Sequence, residues 1–132
     1  MHERDTILGE IRALGIRNVV VLSGDVHHAE LIRHEPAPGF VLHEFVAGPL
    51  AARQGFKRFL DRSLNSRSLG SLGFAKNFGE LVVERDALTV RIIDGSGAPR
   101  VRLRLPATAP VVEVRTGGAP GAGAANQSTG GS

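Results

Sequence analysis

One short stretch of this chain has residue types and spacing that can do chemistry: Ser23-Gly24-Asp25-Val26-His27-His28. Asp25 offers a carboxylate and His27 an imidazole, two positions apart. In extended backbone, residues i and i+2 point the same way. One carboxylate oxygen and one imidazole nitrogen can then reach a single metal centre. Neutral imidazole suits iron, zinc and manganese, and carboxylate suits harder ions such as calcium and magnesium. Gly24 reads as the residue that permits a tight turn where a side chain would block it. Taken alone, Asp25-Val26-His27 also reads as a plain turn, with Asp25 capping backbone amides and His27 exposed.

The elements that must position these residues follow from the pattern around them. Asn18-Val19-Val20-Val21-Leu22-Ser23 holds four apolar residues in a row, three of them β-branched. It reads as a strand buried on both faces, as central strands of α/β sheets are. Open α/β sheets place their ligand loops directly after such strands. Before it, a helix capped by Asp5 or Thr6 carries Ile7, Leu8, Ile11 and Leu14 at helical spacing and ends at Gly15. After it, strands are expected over 29–33 and 40–46, with a turn at Pro36, Pro38 and Gly39 and a break at Ala47-Gly48-Pro49. Residues 50–65 read as a helix with Phe56, Phe59, Leu60 and Leu64 on one face, and 66–77 as a loop rich in Ser, Gly and Asn. A meander closes the chain: a strand over 80–84, then Leu88, Val90 and Ile92 alternating with Thr89 and Arg91. A turn at Asp94-Gly95-Ser96-Gly97 leads to Val101, Leu103 and Leu105 alternating with Arg102 and Arg104.

Composition narrows the function classes. The chain has 132 residues, enough for one modest domain, and 42% are hydrophobic, enough for a packed core. Net charge is +3, which suits an anionic substrate and is too weak to indicate nucleic acid. Cysteine is absent, so any metal is held by oxygen and imidazole. No apolar run is long enough to cross a bilayer, and the polar start Met1-His2-Glu3-Arg4-Asp5 is not a signal peptide. From Thr116 to Ser132 there is no charge and nothing larger than Gln, a composition that cannot repay the entropy of folding, and a disordered end is expected. A strand apolar on both faces needs neighbours and cover on two sides. The expectation is therefore that this chain is part of a larger domain whose missing neighbours are encoded upstream of Met1. A small α+β domain closing on itself is the other reading.

The motif, in context, resembles a known family. Val19-Val20-Val21-Leu22-Ser23-Gly24-Asp25-Val26-His27-His28-Ala29 is similar to the last metal-binding motif of PhoD-like alkaline phosphatases, within the calcineurin-like metallophosphoesterase superfamily. His43-Glu44-Phe45-Val46-Ala47-Gly48-Pro49-Leu50 and Asn77-Phe78-Gly79 also look like that family, and the resemblance covers about residues 5 to 105. It implies an α/β fold: the C-terminal part of a metallophosphatase-type αββα sandwich with a closing antiparallel meander, over 1–106, followed by an extended low-complexity tail over 107–132. It implies a metal-dependent hydrolase of phosphate mono- or diesters, using calcium and iron, or manganese or zinc, from a family whose members are often exported. Asp25 and His27 fall on metal-ligand positions, Gly24 on the turn, and His28 beside the ligands; Glu44, from its place on the next strand, is expected to orient a ligand by hydrogen bond. The superfamily's earlier motifs do not occur in this sequence, so the chain is expected to be catalytically incomplete alone. Its partners would be a phosphate-ester substrate and the missing N-terminal part of the same domain.

Other candidates read more simply. His34 and His43 are expected as surface or packing residues, and Asn77 as a residue that fixes the chain after a loop. Arg53, Lys57, Arg58, Arg62 and Arg67 form a basic run that reads as the solvated face of a helix. The same run supports the alternative function, a non-catalytic module holding an anionic partner.

Overall fold

The structure, a computed structural model, describes residues 2–56 and 59–108. The expected disordered end therefore lies outside the described residues, as do Lys57 and Arg58. The element order is mixed α/β: one helix, a four-stranded mixed sheet and a three-stranded antiparallel sheet. Among the described residues no helix is long and apolar enough to cross a membrane.

Helix α1 spans His2–Ala13, so Asp5 and Thr6 lie inside its first turns rather than capping it. Its acidic first turn (Glu3, Asp5) and its Arg12 in the last turn complement the helix dipole. The stop is where the sequence places it. Gly15 takes φ +63°, its N–H donates to the Arg12 carbonyl, and the Ile16 N–H reaches back to Ile11. That is the paired bonding of a Schellman ending, which favours glycine because a Cβ is unfavourable at that angle.

The first sheet comprises β1 (Val20–Ser23), β2 (Ala29–Ala37), β3 (Phe40–Val46) and β4 (Arg67–Leu72), in the order β1-β3-β2-β4. β1 runs parallel to β3, and the other pairings are antiparallel. The second sheet comprises β5 (Asn77–Val83), β6 (Ala87–Asp94) and β7 (Pro99–Pro106) as a meander. Between the sheets, Ala29, Leu31 and Phe45 meet Val90 and Ile92, with Leu69, Leu72, Leu88, Val101, Leu103 and Leu105 packed around them. Alternation puts these residues on facing surfaces. A Cβ on Gly70 would lie only 2.7 Å from Val101 Cγ1, so glycine is what lets β4 approach β7.

Several expectations change. β1 is not buried on both faces: it is an edge strand, with Val21 40% and Leu22 61% exposed. The helix does not cover it, since Ile7 and Leu14 are themselves exposed. The doubly buried strand is β2, which extends past Arg33 to Ala37 and takes Pro36 into its bulged end. Among the described residues of 50–65 no α-helix forms, and Arg62–Leu64 make a 3₁₀ turn. Gly55 explains part of this. Its N–H is given to His27 and its carbonyl to Phe74, so neither joins a helical ladder. Among the described residues Arg53, Arg62 and Arg67 therefore do not lie on one α-helix, as the binding-module reading expected. Within the expected loop at 66–77, residues 67–72 pair with β2 as an edge strand, and β5 starts at Asn77 instead of Glu80.

α1 is tied to the 3₁₀ turn by charge. Arg4 Nη1 donates to Asp61 at 2.7 Å, and Ser63 N donates to the same carboxylate at 2.8 Å. Hydrogen bonds from Ser63, then Arg4, push the Asp61 pKa down from 3.8 to about 2. A depressed carboxylate stabilises the fold above its unfolded value and stops doing so as pH falls through its folded value. The Arg4–Asp61 link should thus be intact above pH 3.8 and be lost on approach to about 2, read from the Arg4 side-chain resonances; Asp61→Asn should abolish the step. In the core, Leu31→Ala should cost about 2–5 kcal/mol in urea unfolding, because Leu31 is 1% exposed. Leu50→Ala, at an exposed position, should change stability by no more than about 0.5 kcal/mol.

Candidate functional site

β1 and β3 run parallel, and Ser23 pairs with Val46, so the segments leaving their C-terminal ends lie together. The Ala47 N–H donates to the Ser23 carbonyl at 3.3 Å. Residues 24–28 and 47–49 therefore share the end of the sheet where α/β folds assemble ligand sites.

The turn at 24–28 is not made by Gly24. Its φ is not left-handed, and a Cβ there would meet only the Ala47 carbonyl at an ordinary 3.5 Å. The left-handed residues are Asp25, φ +67°, and His27, φ +62°. Asp and His are among the residues that tolerate this region best, yet it still costs them about 1–2 kcal/mol each. Extended-strand alternation consequently does not apply to the pair, and a common direction cannot be taken from it. Both Asp25 and His27 are exposed and available to a ligand.

His28 turns inward. It is 4% exposed, with Nδ1 at 3.2 Å from the Val26 carbonyl and Nε2 at 3.3 Å from Glu30 Oε2. Glu30, on the doubly buried β2, is 1% exposed. Glu44 sits one pairing step away, opposite Ile32 on β2 and Val21 on β1. Its Oε1 accepts from Ser23 Oγ at 2.6 Å and its Oε2 from His34 Nε2 at 2.9 Å, while His34 Nδ1 and Ser66 Oγ are hydrogen-bonded at 2.8 Å. Glu44 thus holds the residue that precedes Gly24 and makes no bond to Asp25 or His27. His34 belongs to a buried polar chain and is not a surface residue. His43 stacks on Phe45, with ring centroids 6.4 Å apart, and burial first, then Arg33 and His34, lowers its pKa.

Two supports hold the loop, and the first of them, Gly55, escaped the sequence reading. The Gly55 N–H donates to the His27 carbonyl at 2.7 Å, and the Phe74 N–H donates to the Gly55 carbonyl at 3.1 Å. A Cβ on Gly55 would come within 3.2 Å of His27 Cβ and O. The available signal was a glycine interrupting a helical pattern. The second support is Asn77, whose side chain brackets Gly48 by accepting from its N–H at 2.9 Å and donating to its carbonyl at 2.8 Å. Asn77 does fix the chain after the loop, as expected.

A metal fits this arrangement only in part. One carboxylate and one imidazole are a sound donor pair, but among the described residues no group of three or more His, Asp and Glu side chains is gathered to hold an ion. A groove of about 530 Å³ lined by Val19, Val20, Val41, His43, Leu81 and Leu88 opens at the other end of β1 and has no part in this site.

Comparison with known proteins bears on what such a site would serve. The family model for PhoD-like phosphatases matches residues 1–92. No curated protein and no solved structure matches the chain.

The Gly55 contact is testable. Gly55→Ala should push His27 outward, shift the amide resonances of 25–28, and cost about 1–3 kcal/mol, as overpacking does. Unchanged resonances at 25–28 would show that His27 does not depend on it.

Proposed function

The chain belongs to the PhoD-like phosphatase family, and from that premise we propose that it is the C-terminal part of a metallophosphatase-type αββα domain carrying one corner of the metal site. The family implies a phosphoesterase, a hydrolase acting on phosphate esters, and is metal-dependent in general. We assign Asp25 and His27 as metal ligands. The observation that carries this reading is their position: two exposed donors, both in left-handed backbone, directly after a parallel strand and beside the end of its neighbour. Backbone held in sparsely populated angles concentrates at functional sites.

The donor set indicates which ions suit it. A carboxylate with an imidazole accepts iron, zinc or manganese, and carboxylate oxygen accepts calcium. By family resemblance, calcium and iron come first. Such ions, when bound, neutralise phosphate charge and lower the pKa of a coordinated water. The chain's own residues hold and orient: Asp25 and His27 supply donors, Gly55 grips the His27 carbonyl, and Ser23 is held by Glu44. Two donors are fewer than the roughly four to six that such ions take. In this reading residues 1–106 are the C-terminal part of the domain, and its N-terminal part, outside this chain, supplies the others. It would lie against the open edge of β1, covering Val21 and Leu22.

The test uses p-nitrophenyl phosphate and its bis-ester with calcium, manganese, zinc or iron added. The chain alone should release no p-nitrophenol above a His27→Ala control. Turnover that His27→Ala abolishes would show a complete site and overturn the incomplete-domain reading. Mn²⁺ binding should weaken in both Asp25→Ala and His27→Ala; binding unaffected by either would remove the ligand assignment.

A further inference from the structure

Asp25 and His27 both sit at backbone angles that non-glycine residues seldom adopt, so the loop needs an internal restraint as well as the grip of Gly55 from outside. The peptide between them belongs to Val26, and the Val26 carbonyl is bonded by the ring of His28. A carbonyl only accepts, so Nδ1 of His28 carries a proton. Nε2 faces Glu30 Oε2 at 3.3 Å, and that contact holds only if one further proton lies between the two atoms. The ring is thereby braced at both ends. It is 4% exposed and Glu30 1%, and polar groups buried this deeply cost free energy unless bonded. Nothing in the pairing of β2 requires an imidazole at position 28, since its ring bonds go to the loop and to a side chain.

We propose that His28, through its bond to the Val26 carbonyl, is the positioning residue of this site: it fixes the Val26 peptide and thereby the backbone angles from which the Asp25 and His27 side chains leave. The inference rests on the reading of Asp25 and His27 as metal ligands. A loop set before the ion arrives avoids the ordering cost of binding, and groups that orient ligands typically change metal affinity about 10–100-fold when removed.

Two conservative variants separate positioning from mere burial. An Asn side-chain nitrogen falls near the place of Nδ1, and that of Gln near the place of Nε2. His28→Asn keeps the bond to Val26 and loses Glu30; His28→Gln does the reverse. Each full-length variant is titrated with Mn²⁺ alone, with melting temperature and amide resonances recorded beside Asp25→Ala. His28→Gln should weaken Mn²⁺ binding about tenfold or more and shift resonances at 25–27, whereas His28→Asn should stay within about twofold of the parent chain. Affinities that follow melting temperature in both variants, or that change in neither, overturn the proposal. Wild-type affinity in His28→Gln beside lost affinity in Asp25→Ala overturns the proposal alone. Asp25→Ala binding as the parent chain does removes the ligand reading, and the proposal with it. Should neither variant fold, the parent chain decides: a slowly exchanging Hδ1 on His28, retained when Zn²⁺ is added, is required, and a freely exchanging Hδ1 overturns the assignment.

Discussion

A strand paired on both edges and covered on both faces leaves no water for its polar side chains, and β2 is that strand. It carries Glu30 and His34 into the interior, 1% and 7% exposed. Each is tolerated because it is bonded: Glu30 to His28, His34 to Glu44 and Ser66. Buried ionisable groups survive only with partners, so these pairings constrain how β3 registers against β2 and where the residues beside Ser66 can lie. They also reach the candidate site, since His28 holds the Val26 carbonyl and Glu44 holds Ser23. The structure on either side of the Asp25–His27 loop thus depends on how β2 hides its charge.

The apolar part of the fold sits on the other face of the same strand. Ala29 and Leu31 point into the layer shared with Val90 and Ile92, and Phe45 pairs beside Leu31. One strand therefore contributes both to the inter-sheet core and to the polar chain under the loop. At its other edge, β4 is a Ser- and Gly-containing strand whose Gly70 lets Val101 come close. The end of the sheet that carries the loop is bounded by Gly48, held by Asn77, and by Gly55, held between His27 and Phe74.

β1 stands apart from this economy. It is parallel to β3 on one edge and unpaired on the other among the described residues, with Val21 and Leu22 exposed. A run of β-branched residues with that much apolar surface in water is consistent with a strand built for further cover.

Much of the local structure was legible in the residues themselves. The end of α1 at Gly15, the strand at 40–46, the corner at Gly48-Pro49 and the three-stranded meander follow from turn chemistry and alternation, both local effects. The motif Gly24-Asp25-Val26-His27 was legible too, together with the family it resembles. Tertiary structure decided what local pattern could not. The Phe-studded segment at 50–65 has helical spacing, but Gly55 gives its backbone groups to His27 and Phe74, bonds between residues far apart in sequence. Strand β4 reads as loop because Ser and Gly carry little strand preference; it forms because β2 offers an edge. β2 carries polar side chains and is buried, because Ser66 and Glu44 arrive from other elements to satisfy His34, beside the local contact of His28 with Glu30. The turn itself falls on Asp25 and His27, since what holds their backbone in the left-handed region is supplied by neighbours in space as well as by their own sequence.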